Sequence, residues 1–88
     1  MSPELETLDQ LLAGLLSLKT VLSVYPSESA FLRGVSGLLA SGDVWLQLSN
    51  GSTLPDHEWR RVFRDRTVLN NLGNFQLEIT DQGARRIA

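Results

Sequence analysis

Leu8, Leu11, Leu15, Leu18 and Leu22 recur with a 3-4-3-4 spacing, which lines one side of a helix as a heptad-like seam. Leu5, Leu12 and Leu16 lie beside it and widen the apolar surface past the stripe of about 100° that a helix serving one side of a core needs. Ser2-Pro3-Glu4 supplies a hydroxyl cap, a proline at the first helical position and an acid in the first turn. Tyr25-Pro26-Ser27 stops the helix, because the residue before proline is steered away from helical dihedrals. One long leucine-rich helix is therefore expected before Tyr25. Two explanations of its width stay open. It packs on both sides within one monomer, or it pairs through Leu8, Leu11, Leu15, Leu18 and Leu22 with a second subunit as a homodimer.

A second helix is expected from about Glu28 to Ala40, with Phe31, Val35, Leu38 and Leu39 as its core face. Gly34 and Gly37 weaken it and point to close approach by another helix or by the sheet. Gly42 closes it as a left-handed cap. Val44, Leu46 and Leu48 then alternate with Trp45, Gln47 and Ser49, the period of a half-buried strand. Asn50-Gly51 signals a hairpin, and Ser52 to Leu54 is its expected return strand. Pro55 opens a third helix, Asp56 to Arg64, with Trp59, Val62 and Phe63 inward. Asp65 caps a further short helix ending at Leu72. A last strand covers Asn74 to Ile79, and Thr80-Asp81 starts a final turn or short helix. The helix–Gly–strand pattern from Phe31 thus repeats from Val62, 31 residues on. The expected architecture is a single α+β domain over residues 1–88: two N-terminal helices, then a small antiparallel sheet interleaved with one or two short helices.

Composition narrows the function classes. An apolar fraction of 42% and a charged fraction of 20% are ordinary for a globular protein. The net charge of −2 lacks the broad basic footprint of a generic nucleic-acid binder. Residues 55–88 nonetheless hold six of the eight cations, all arginine. With no cysteine, disulfides and thiolate metal sites are excluded. The apolar runs are broken by Gln10, Gly14, Ser17 and Lys19, so no membrane span is expected, and a cytoplasmic setting is the default.

No catalytic set is legible. His57 is the one histidine, and it stands beside Asp56 and Glu58 at a helix start, where acids serve the dipole and adjacent side chains diverge. One histidine and no cysteine give too few ligands for a metal centre, and the glycines do not cluster into a phosphate loop. No enzymatic activity, cofactor or metal is expected. The residues that stand out are surface ones. Arg60, Arg61 and Arg64 lie opposite Trp59, Val62 and Phe63 as a basic strip, which Arg66, Arg85 and Arg86 would extend if the last turn folds back. Trp45, on the strand face opposite Val44 and Leu46, is the sort of aromatic anchor that dominates binding hot spots. Either it is exposed or the N-terminal helix covers it.

Phe75-Gln76-Leu77-Glu78-Ile79-Thr80-Asp81-Gln82-Gly83 and the basic, apolar stretch that follows resemble the last strand and following helix of winged-helix regulators. That resemblance implies nucleic-acid binding through the arginine strip. A winged helix also has a helix-turn-helix ahead of its wing, whereas the expected elements put a strand and an Asn-Gly hairpin between helices two and three. The first expectation is therefore a non-catalytic protein-protein interaction module, a small adaptor or binding inhibitor. Its partner-binding candidates are Trp45, Arg60, Arg61 and Arg64, and it self-associates through the leucine helix. Nucleic acid is the second partner class.

Overall fold

Ser2 caps the first helix, its hydroxyl accepting from Leu5 N at 3.2 Å, and α1 runs over Pro3–Leu11. The computed structural model describes residues 2–88. The chain then leaves the helix, with Gly14 at φ 143°, a backbone conformation that side chains with a Cβ rarely adopt. A two-residue strand β1, Leu16–Ser17, follows, and Ser17 caps a new short helix α2, Leu18–Leu22, by accepting from Lys19 N. The single long leucine helix is therefore corrected to helix, strand and helix. Leu8 and Leu11 from α1 and Leu18 from α2 still meet in one core, at 0%, 2% and 0% exposure, because the chain reverses between them.

Helix α3, Glu28–Ser41, is capped by Ser27 and ends at Gly42 with φ 85°, as the sequence leads one to expect. Strand β2 is Val44–Leu48, α4 is Asp56–Arg64, β3 is Phe75–Ile79 and α5 is Asp81–Arg86. The return strand expected at Ser52 to Leu54 is reduced to one bridge, Gln47 with Thr53. The short helix expected before Leu72 is two 3-10 turns, Thr67–Asn70 and Leu72–Asn74, because the backbone turns sharply at Arg66, φ 61°.

The sheet is antiparallel in the order β1-β3-β2, and the class is α+β. Leu46 lies opposite Leu77 and Leu77 opposite Leu16. These inward residues pack with Leu8, Leu18, Val21, Phe31 and Val35 in one core. A satellite of aromatics extends it under α4: Phe31 stacks on Phe63 at 6.3 Å between centroids, and Trp59 meets Phe63 edge-on at 6.1 Å. The helix pair α2–α3 stands directly before β2, and the last strand is the central one. No helix among the described residues is long and apolar enough to cross a membrane.

The Thr-x-x-Gly phrase at the end of β3 has a packing function. Thr80 accepts from Gly83 N at 3.0 Å and donates to Gly42 O at 2.7 Å, so one hydroxyl ties the cap of α5 to the cap of α3. A Cβ on Gly83 would overlap the Asp43 carbonyl oxygen and stand 2.9 Å from Ile79 Cγ1. Beside this contact the Asp43 carboxylate is fully buried. It accepts from Ser41 Oγ at 2.7 Å, from Gln82 Nε2 at 3.0 Å and from Arg86 Nη1. Burial pushes the Asp43 carboxyl up, but the donors from Ser41, Gln82 and Arg86 outweigh it and hold the group below its ordinary value.

Candidate functional site

The sheet has two dissimilar faces. Val44, Leu46 and Leu77 turn to the core, whereas Leu48, expected to point inward with them, is exposed at the strand end. The opposite side of the strands carries Trp45, Gln47, Gln76 and Glu78, of which Trp45 is exposed, Gln76 and Glu78 are half-buried and Gln47 is buried. A polar ladder stiffens that outer face: Gln76 Nε2 donates to Gln47 Oε1 at 2.9 Å, and Gln47 Nε2 donates to Glu78 Oε1 at 3.1 Å. Trp45 lies opposite Glu78 in register and is 51% exposed. The N-terminal helix does not cover it. On the far side of Glu78, Leu12 and Leu15 border the same shallow recess as the glutamate and are themselves about half exposed. The outer face therefore carries an apolar strip of Leu12, Leu15 and Trp45 crossed by one carboxylate.

Leu15 belongs to this strip and not to a leucine seam. Leu8, Leu11 and Leu18 are inside the monomer, and Leu22 is half-buried against the same core. The five leucines predicted to self-associate do not form a common surface. Three of them have no area left for a second subunit.

The arginines are also divided. Arg60 is bound to Asp56 at 2.6 Å and lies 4.6 Å over the Trp59 ring; its guanidinium holds the Asp56 carboxyl below the ordinary range. Arg64 meets Asp65 at 3.3 Å, Arg66 approaches Glu28 at 3.9 Å, and Arg86 is committed to Asp43. The pairs of Arg60, Arg64 and Arg66 are exposed on both sides and contribute little to stability, but all four pairs reduce the charge presented outward. The strip is thus not extended by Arg66 or Arg86. Arg60 and Arg64 instead face α3 across a groove of about 620 Å³, which Arg33 borders from the other side and Arg61 does not reach. Arg33 makes no ion pair among the described residues.

His57 is exposed on the first turn of α4. Among the described residues no three His, Asp or Glu side chains gather as a metal site would. Among the described residues the buried Tyr25 hydroxyl makes no well-formed hydrogen bond, and burial, only partly offset by the nearby Thr7 hydroxyl, pushes its phenol up to about 12; it is an aromatic core residue at the edge of Phe31. The sequence pointed to Trp45, Arg60 and Arg64. It did not single out Arg33, Leu12 or Leu15 as site residues, because their placement depends on the chain reversal at Gly14 and on α4 folding back over α3. No family model, curated protein or solved structure matches the chain.

Proposed function

We propose that the chain is a non-catalytic protein-binding module that docks a partner protein on the helix-free face of its sheet, with Trp45 as the anchor. The observation that carries this reading is the half-exposed Trp45 on a strand hydrogen-bonded to β3, with Leu12 and Leu15 across Glu78. A tryptophan in a fixed position offers large contact area at little entropic cost, and covering apolar surface is favourable by about 25 cal/mol per Å². Glu78, held by Gln47, favours a lysine or arginine within the partner's apolar patch. Binding of this kind acts by occupancy, as an adaptor or an inhibitor does. The partner is another protein and not a second copy joined through the leucines, since Leu8, Leu11 and Leu18 are buried.

The test is capture from a nuclease-treated extract of the cells that make the protein, on immobilised wild type and on Trp45→Ala. Trp45 is exposed, so the variant keeps its fold. A protein retained by wild type and lost with Trp45→Ala supports the reading. Equal retention, or loss on nuclease treatment alone, removes it.

A nucleic-acid-binding regulator is the second reading, favoured by the resemblance of residues 75–83 to the last strand and following helix of winged-helix regulators. In it α3 takes the part of the recognition helix and Arg33, Arg60 and Arg64 contact phosphates. Two features weigh against it. The exposed residues of α3 include one cation, Arg33, and one acid, Glu28, and Arg60 and Arg64 already face Asp56 and Asp65.

A further inference from the structure

The groove between α3 and α4 lies apart from the Trp45 face. Its floor is the outward side of α3, where Leu32, Ser36, Gly37 and Ala40 stand in helical succession; Trp59 and Phe63 form the opposite wall. Arg33, Arg60 and Arg64 make the rim; the acids paired with Arg60 and Arg64, Asp56 and Asp65, stand outside the lining. Gly37 is the informative floor residue. A Cβ placed on Gly34 would run into the Tyr25 ring and one on Gly83 into Asp43, but a Cβ on Gly37 would meet nothing within 4 Å. The interior of the domain therefore gives no reason for a helix-weakening glycine at this point, whereas an approaching backbone would use the missing side chain.

From these features we propose that the α3–α4 groove docks an acidic amphipathic helix of a partner protein. Three properties select that occupant. Both sides of the groove are helices whose backbone groups are bonded internally, so an extended peptide would find no strand edge, and an occupant must satisfy its own backbone as a helix does. The small floor residues Ser36, Gly37 and Ala40 permit the interaxial distances of about 8–10 Å at which helices interdigitate. The positive charge left over at the rim is that of Arg33, since Arg60 and Arg64 are shared with Asp56 and Asp65. It matches a carboxylate flanking an apolar stripe, and one such contact asks less positive charge of the rim than a run of phosphates does. A second copy of this chain does not supply such a helix. Its own acidic helix α1 has its apolar residues Leu8 and Leu11 buried in the core. A nucleic-acid backbone would set phosphates against the apolar floor.

The experiment titrates isotope-labelled protein with a helix-stapled peptide of about 14 residues, roughly 21 Å long, carrying a leucine stripe flanked by glutamates. The same peptide with glutamine in place of each glutamate is the control. The expected amide shifts are at Leu32, Arg33, Ser36, Gly37 and Ala40, with the Trp59 indole. Arg33→Glu combined with Arg64→Glu, and the glutamine peptide, should each weaken binding about tenfold or more. Gly37→Leu enters open space and strengthens the helix, so it should keep the fold while blocking the groove, and binding should fall below detection. Trp45→Ala should leave the affinity unchanged, which separates this groove from the sheet face: failure here does not touch the Trp45 reading. The proposal is overturned by no binding at millimolar peptide, by equal affinity for the glutamine peptide, or by shifts centred on Trp45. It is also overturned if a duplex of about 20 base pairs displaces the peptide from the same amides.

Discussion

Asp43→Ala removes the acceptor that joins the end of α3, the start of β2 and α5. The carboxylate is fully buried and receives three donors, from Ser41, Gln82 and Arg86. Hydrogen bonds to a charged group contribute about 1.5–3 kcal/mol each, and three taken singly would sum too high because the donors recover other partners. Ser41 Oγ also donates to Leu38 O at 3.1 Å, Gln82 Nε2 also donates to Ser41 O at 2.6 Å, and Arg86 is half exposed to water. A net loss of about 3 kcal/mol remains, a large share of the roughly 5–15 kcal/mol that holds a domain folded. At about 4–8 °C per kcal/mol for a chain of this size, the melting temperature should fall by about 12–24 °C. Urea unfolding followed by tryptophan fluorescence and circular dichroism measures the loss directly. Asp43→Asn retains the shape and loses the charge, and the sign of its pH dependence is fixed. The native carboxyl titrates below its ordinary value of 3.8, so the stability it contributes is complete above the unfolded value. It is lost as pH falls through the native one. The gap between wild type and Asp43→Asn should therefore be constant from about pH 5 to 7 and close below about pH 4. A loss under about 1 kcal/mol for Asp43→Ala, or a gap that persists unchanged to pH 3, would refute this account of the α5 junction.

Other substitutions separate the packing arguments. Gly34→Ala should destabilise by about 1–3 kcal/mol through the Tyr25 ring, since a Cβ there would lie 2.7 Å from Tyr25 Oη, while Gly37→Ala should stabilise by about 1 kcal/mol; thermal melts of the two should shift in opposite directions. Gly83→Ala meets the Asp43 backbone and should detach α5, read as a loss of at least about 2 kcal/mol and fast amide exchange after Thr80. Tyr25→Phe deletes a buried hydroxyl that makes no well-formed hydrogen bond among the described residues and should leave stability equal or slightly higher in urea titration. Leu11→Glu with Leu18→Glu should unfold the monomer, seen as lost circular dichroism, because both side chains are in its core.

Much of the fold was legible because local signals agreed with the tertiary answer. The Ser27 cap and Gly42 stop bound α3, Pro55 and the apolar face of Trp59 and Phe63 bound α4, and Phe75-Gln76-Leu77-Glu78-Ile79 alternates as β3 does. The leucine run misled because a 3-4-3-4 spacing fits one helix on one surface and equally two helices meeting at one core. Gly14 and the capping Ser17 were the local signs of the break, outweighed by the periodicity around them. The groove was not legible at all. It depends on Phe63 returning to stack on Phe31, a contact between residues about thirty positions apart that no local pattern encodes. Trp45 was legible as outward from strand alternation alone. Its exposure did not follow from alternation, since Gln47 on the same side of β2 is buried.

Whether this domain acts on protein or on nucleic acid is tested most directly by fluorescence anisotropy of a labelled duplex of about 20 base pairs, titrated with the protein at about 50 and 150 mM salt. Binding should be weaker than about 100 μM at the higher salt, no better than non-specific contact, with little change on reversing Arg33, Arg60 and Arg64. Micromolar binding with a log–log salt slope near −3, abolished by those reversals, would contradict it and make α3 a recognition helix.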